Sequence, residues 1–290
     1  MQPRTNPGAA AHSPSSSRAA TLYWPLRKLR AFLVRDHIVE TSYHLAFAFA
    51  LLQSVLPLFA FHFIAQLVPT SGVRTVQRYG GYFPFVLVGV AFSQYLAQAL
   101  SAFATSIRRA QMSGSLEAML GTRTGPLAIV LFSPVYHFTF KTAHLALVFL
   151  VGALVFGARF DGCNYGAAAL AFASSVLAFA GLGMLSAALV VYLKKGDPVE
   201  WLLLSGLAFI SGTYFPIELL PPWLQALSWL SPLTHALEAM RLALSGASFE
   251  ALRSHLLVLG AFAALAMPIG MAAFVAVVER GRRDGTLSHY

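Results

Sequence analysis

Charge is what this sequence has least of. Only 11% of its 290 residues are Asp, Glu, Lys or Arg, against about 25% in a soluble domain. With 57% hydrophobic residues and a mean hydropathy of +0.67, so few charges cannot clothe a water-facing surface. Lipid must be the solvent for much of the chain. Cysteine is almost absent as well. The single one, Cys163, excludes an internal disulfide framework and a thiolate metal cluster, and reads as a packed small residue. The basic residues are scattered between apolar runs, so the clustered face that nucleic-acid binding needs is missing and no such partner is expected. Several catalytic signatures are missing too. No G-x-x-x-x-G-K-[ST] phosphate loop occurs, nor H-E-x-x-H, nor a G-x-S-G nucleophile motif, and each of those chemistries depends on its residues at that spacing. No Asp lies in an apolar run, which also removes the Asp-rich helix of phospholipid-forming transferases.

What is there is a series of long apolar runs near 44–68, 81–106, 129–157, 166–192, 199–219 and 256–278, each matching the ~20 helical residues that cross a bilayer. Lipid offers the backbone no hydrogen-bond partner, so such runs are helices. The third contains Lys141, and the fifth carries Glu200 and Glu218 only at its ends. The predicted fold is an all-α membrane protein with six transmembrane helices, spanning 44–278 as one domain. Residues 1–20, rich in Ser, Pro and Ala, read as a disordered cytoplasmic tail and not as a signal peptide. Over 21–43, Leu22, Leu26, Leu29 and Leu33 recur at helical spacing among Arg27, Lys28 and Arg30, which predicts an amphipathic helix at the membrane surface. Residues 279–290 read as a cytoplasmic C-terminal tail.

Orientation follows from Lys and Arg. Six such spans put fourteen of them on the side of the two termini and five on the other, namely Arg74, Arg78, Arg159, Arg241 and Arg253. Both termini are therefore expected in the cytoplasm, and the protein in a bacterial inner membrane. Between the fifth and sixth spans, Phe215–Ser248 is too apolar for an exposed loop. Pro216, Pro221, Pro222 and Pro232 break it too often for one helix. Two short helices near 221–230 and 233–245 fit, with Pro at a first helical turn and Trp223 and Trp229 at head-group level.

The loop between spans two and three, SIRRAQMSGSLEAMLGTRTGP from Ser106 to Pro126, reads as a short helix capped by Ser115. Glu117 lies near its positive end, and Leu116, Met119 and Leu120 are available to a partner. This stretch resembles the cytoplasmic coupling loop of ABC-2 type exporter permeases, where a Gly-Thr/Ser-Leu-Glu run is followed by a Leu-rich helix and a Thr/Ser-Pro turn. It departs from that pattern at Thr122-Arg123-Thr124, with Pro126 following. SGTYFPIELLPPWLQALSWLSPLTHALEAMRLAL, from Ser211 to Leu244, is similar to the same family's stretch after its fifth helix. The resemblance implies a membrane subunit that pairs with a second copy or a related permease. Each would be bound to a cytoplasmic ABC ATPase that carries the ATP and magnesium, with no cofactor on this chain. It assigns Arg109, Ser115, Leu116, Glu117, Met119 and Leu120 to coupling, and Phe215, Pro216, Trp223 and Arg241 to an outer gate.

Polar residues inside apolar spans are costly and face protein or water. Gln94, Gln98, Ser101 and Thr105 form a stripe on span two, and His137, Lys141 and His144 share one face of span three. Two readings stand side by side: a polar lining for a substrate path through Gln94, Gln98, His137, Lys141 and His144, or interhelical hydrogen bonding with Lys141 snorkelling. His137 and His144 lack a third ligand of the usual type for a metal. The expected function is export of a lipid, glycan or drug-like substrate driven by a separate ATPase. A gradient-driven transporter is the alternative, but it would be expected to carry an acidic residue at mid-membrane. An intramembrane enzyme is the other alternative.

Overall fold

The computed structural model describes residues 44–67, 74–112, 131, 134–160, 162–193 and 206–283. Eight α-helices are labelled in chain order: α1 (His44–Leu67), α2 (Arg74–Arg78), α3 (Tyr82–Met112), α4 (Val135–Leu154), α5 (Tyr165–Leu193), α6 (Pro222–Trp229), α7 (Pro232–Leu244) and α8 (Phe249–Arg283). A 3-10 turn at Ile217–Leu219 precedes α6, and residues 206–210 are helical. No strand occurs among the described residues. The interfacial helix expected at 21–43 and the loop helix expected near 115–120 lie outside them. So do residues 199–205 of the run at 199–219.

Four helices are long and apolar enough to cross a membrane, namely α3, α4, α5 and α8, and α1 adds a shorter apolar stretch, Leu52–Leu67. The protein is thus an all-helical, multi-pass membrane protein. The expected runs 81–106 and 166–192 coincide with α3 and α5. The last helix begins at Phe249 instead of near 256 and continues to Arg283. Charges at Glu250 and Arg253 hid its first turns from a hydropathy reading, although an acidic residue there suits the helix dipole.

α3 is the hub. Of its apolar window, 72% is buried, against 17% in α4 and 22% in α8. Helices α1, α4, α5 and α7 all pack on it. At one end Phe103, Ile107, Met184, Phe274 and Val278 draw together the C-terminal parts of α3, α5 and α8. At the opposite end Tyr79, Phe85, Ala171, Leu242 and Leu252 join the start of α3 to α5, α7 and α8. Asn164 secures this second end. Its Oδ1 accepts from Ala167 N–H at 3.1 Å, closing the first turn of α5. Its own backbone N–H donates to the Ala243 carbonyl at 3.0 Å.

Between α5 and α8 the small residues of the sequence find their use. A Cβ on Gly181 would lie 2.8 Å from Met267 N, and one on Gly270 would lie 2.9 Å from Gly181 O. On α5's other side, a Cβ on Gly183 would come 2.8 Å from Leu100 O of α3. Backbones therefore meet directly, which is how helices associate where lipid removes the hydrophobic drive between them. The outward side of α1 carries Phe49, Leu52, Leu56, Phe63 and Leu67, all more than half exposed, as suits a face in contact with lipid.

Candidate functional site

An open cavity of about 270 Å3 lies between α1, α3 and α4, with Gln53, Gln94 and Gln98 exposed along it. Its polar lining comes from Gln53 and Ser54 on α1, Gln94 and Gln98 on α3, and Lys141 and His144 on α4. The spacing of Gln94 and Gln98, and of Lys141 and His144, at three and four residues stacks each pair on one helix face. The structure brings the two faces together. His144 Nε2 and Ser54 Oγ are hydrogen-bonded at 2.7 Å, which fastens α4 to α1. Tyr95 OH meets Thr142 Oγ1 at 3.1 Å. Thr142 already donates to the Phe138 carbonyl at 2.8 Å, so Tyr95 is the donor in that pair. Lys141 lines the cavity and so avoids hydrocarbon, where a lysine at mid-helix costs about 2.5–3.5 kcal/mol on insertion scales.

The structure divides the sequence-predicted polar stripes. Ser101 and Thr105 of the α3 stripe bond back to carbonyls of their own helix, Ala97 O at 3.2 Å and Ser101 O at 2.9 Å. They are satisfied locally and line no cavity. His137, one turn before Lys141, is half-buried and is not among the cavity residues. Among the described residues no three His, Cys, Asp or Glu side chains converge to hold a metal ion.

A second constellation lies toward the end where α2 and α7 meet α3. Arg241 of α7 is 2% exposed. Its Nη2 donates to Gly212 O at 2.8 Å and Phe85 O at 3.1 Å, its Nη1 reaches Glu238 Oε1 at 3.4 Å, and its guanidinium lies 3.6 Å over the Phe85 ring. Glu238 in turn accepts from Tyr79 OH at 2.7 Å. Burial, then the Glu238 charge, pushes the Tyr79 phenol well above its ordinary pKa. This arrangement explains how the chain can leave the helix after 206–210 inside an apolar assembly. Non-helical carbonyls need a donor there, and the five-donor fork of Arg241 supplies it. Gly212 has φ +79°, a conformation glycine adopts without strain. Gly89 on α3 makes room, since a Cβ there would stand 2.0 Å from Thr213 O and 2.7 Å from Arg241 Nη2. Ser211 and Ser231 are hydrogen-bonded through their hydroxyls at 2.9 Å, and Ser231 Oγ caps α7 by accepting from Leu233 N–H. The segment is therefore pinned at both ends.

The residues expected at an outer gate occupy different surroundings. Arg241 is buried in this hub, Pro216 is buried just before the 3-10 turn, Phe215 is half-buried, and Trp223 is 69% exposed on the first turn of α6. Of the expected coupling residues, Arg109 is exposed in the last turn of α3. Ser115, Leu116, Glu117, Met119 and Leu120 lie outside the described residues. Sequence reasoning passed over Ser54, Gln53, Tyr79 and Glu238. The first two stand alone in an apolar run. The other two depend on contacts across 159 residues, which no local pattern announces. It also missed His235, whose ring meets His255 at 3.1 Å and the Trp229 carbonyl at 2.9 Å, tying α6, α7 and α8 together.

Comparison with known proteins agrees with this architecture. The chain is 28% identical over 203 residues to Nodulation protein J of Neorhizobium galegae, an alignment covering 70% of this chain and 74% of that protein. The family model described as ABC-2 type transporter matches residues 45–244, a stretch that contains both the polar cavity and the Arg241 hub. The chain belongs to the ABC-2 type transporter family, and it is a membrane-embedded component of a transporter.

Proposed function

We propose that this protein is the permease subunit of an ATP-driven exporter of the bacterial inner membrane, moving a lipid, glycan or drug-like substrate outward. In this reading it has six spans and both termini in the cytoplasm, where Lys and Arg are concentrated. It works as a homodimer or heterodimer of permeases. Each permease receives a cytoplasmic ABC ATPase on the loop holding Arg109, Ser115, Leu116, Glu117, Met119 and Leu120. ATP is hydrolysed on that partner chain, because this sequence has no phosphate loop.

The observation that carries the reading is the cavity of about 270 Å3 with Gln94, Gln98, Lys141 and His144 in its walls, inside a bundle whose other spans are apolar. Intramembrane polar groups gathered on a cavity mark a path for something that is not lipid tail. α1 forms one wall of this cavity and packs chiefly on α3 and α4 among the described residues. That makes it the element whose displacement would open the path.

The test is reconstitution of the chain with its ATPase in proteoliposomes, followed by a panel of lipids, glycans and apolar drugs scored by stimulated ATP hydrolysis and by transport. Glu117→Ala and Leu120→Ala should abolish transport while membrane insertion and basal ATP hydrolysis persist. Lys141→Met should abolish transport with the assembly intact. Transport that survives both loop substitutions removes the coupling assignment, and transport by the chain without any ATPase removes the function.

A further inference from the structure

A second cavity lies apart from the one between α1, α3 and α4. It measures about 390 Å3 and lies at the end where α2, the start of α3, the α4–α5 connection and the end of α7 meet. This volume falls within the ~300–1,000 Å3 typical of small-ligand sites. Three arginines are among its lining residues, Arg78, Arg159 and Arg241. The convergence is notable for what the rest of the sequence does. Fourteen of nineteen loop and tail Lys and Arg residues fall on the opposite side in the six-span reading, leaving five on this one, and three of those five meet here.

The charges do not cancel. Glu238 engages Arg241 at 3.4 Å and also accepts from Tyr79, so one cation is offset. Arg78 and Arg159 are exposed at the rim and have no ion-pair or hydrogen-bond partner among the described side chains. Arg253, by contrast, is on the same side but pairs with Glu250 at 3.5 Å. Behind it, the Nε of Arg241 is fully buried and has no hydrogen-bond partner among the described residues. A buried N–H of a charged group without an acceptor is an expensive thing to keep. The cavity thus has at its mouth two exposed cations without a side-chain partner among the described residues, beside the buried Arg241.

We propose that this cavity binds a phosphate group, carried by a membrane phospholipid head group or free in solution. Guanidinium forks match the paired oxygens of phosphate, and several of them around one anion give charge-assisted bonds that a single cation does not. Glu238 keeps Arg241 in place for this, and Tyr79 is already committed to Glu238 and contributes apolar ring surface to the wall. The site is separate from the polar cavity between α1, α3 and α4, and it does not depend on an ATPase partner.

The experiment uses the purified full-length chain in detergent, titrated separately with dihexanoyl phosphatidylglycerol and with sodium phosphate, with dihexanoyl glycerol as the phosphate-free control. Binding is read by native mass spectrometry and by thermal shift. The variants are Arg78→Gln/Arg159→Gln, whose side chains are exposed and do not hold the fold, and Arg253→Gln as a charge control. Saturable binding of at least one phosphate probe is expected, weakened about tenfold or more in the double variant and unchanged by Arg253→Gln. Saturation by phosphatidylglycerol alone names the lipid head group as the source, and saturation by both probes names phosphate itself. The proposal is overturned if neither probe saturates, if dihexanoyl glycerol binds equally well, if the double variant binds like wild type, or if Arg253→Gln weakens binding as much.

Discussion

Replacing Arg241 with methionine isolates the role of the buried guanidinium. Methionine keeps the length of the side chain and removes the charge and all five donors. Gly212 O and Phe85 O lose their Arg241 donor, and Glu238 keeps only Tyr79. Removing one partner of a buried ion pair costs about 3–5 kcal/mol. Glu238 retains 17% side-chain exposure, which places the charge term toward the lower end of that range. The stranded Gly212 carbonyl then adds to it, at ~1–3 kcal/mol for a buried group left unsatisfied, while Phe85 O keeps an N–H of its own helix. At about 2–4 °C of Tm per kcal/mol for a domain of 150–250 residues, a loss of about 4–6 kcal/mol lowers Tm by roughly 8–24 °C. The assay is thermal unfolding of the detergent-solubilised chain, followed by intrinsic fluorescence. Arg241→Lys retains a point charge without the planar fork and should fall between the two. The double variant Arg241→Met/Glu238→Gln should lose less than the sum of its parts, because no unpaired carboxylate remains. A Tm for Arg241→Met within about 2 °C of wild type would show that the segment after 206–210 does not depend on this residue.

Other substitutions test neighbouring steps of the argument. Gly89→Ala places a methyl group 2.0 Å from Thr213 O and should destabilise by about 1–3 kcal/mol through overpacking, seen as a lower Tm; an unchanged Tm would mean that α3 and the 211–215 segment are not in contact. Ser54→Ala removes the 2.7 Å bond to His144 and should cost only about 0.6 kcal/mol, the usual worth of an interhelical hydrogen bond in a membrane, so any large transport defect would belong to the cavity and not to stability. Tyr79 has a folded-state pKa raised above its ordinary value. The unfolded chain therefore releases this proton first, and stability is lost as pH climbs above about 10. Tyr79→Phe should flatten that alkaline loss in thermal unfolding measured across pH 9–12, and an identical slope in both proteins would remove Tyr79 from the network.

Much of this architecture is legible in the sequence because the membrane leaves few options. Continuous apolar runs must be helices, and α3 and α5 stand where the runs do. The two short helices are equally readable. Pro222 and Pro232 occupy first helical turns and Ser231 caps the second helix, so the expected 221–230 and 233–245 become Pro222–Trp229 and Pro232–Leu244. Polar residues at three- and four-residue spacing place Gln94 with Gln98, and Lys141 with His144, on shared helix faces, and all four line one cavity. Spacing could not say how far that surroundings extends, so His137 was grouped with them although the cavity stops short of it. It also could not separate hydroxyls that turn back to their own helix, Ser101 and Thr105, from amides that have no such outlet. Arg241 was the least readable. On its own helix it is one cation in an amphipathic stretch, while its acceptors lie 29 and 156 residues away. Gly89, which makes room for them, looks like any small residue in a span.

The seam between α5 and α8 has a mechanical corollary. Where Gly181 and Gly270 bring two backbones to van der Waals distance, the contact has no side chain of its own to change rotamer and absorb relative sliding. Such a pair translates or tilts as one beam. In the proposed transport cycle, displacement would then fall to the corner where α1 and α4 meet α3 through side chains, with the α5–α8 beam as the post against which it moves.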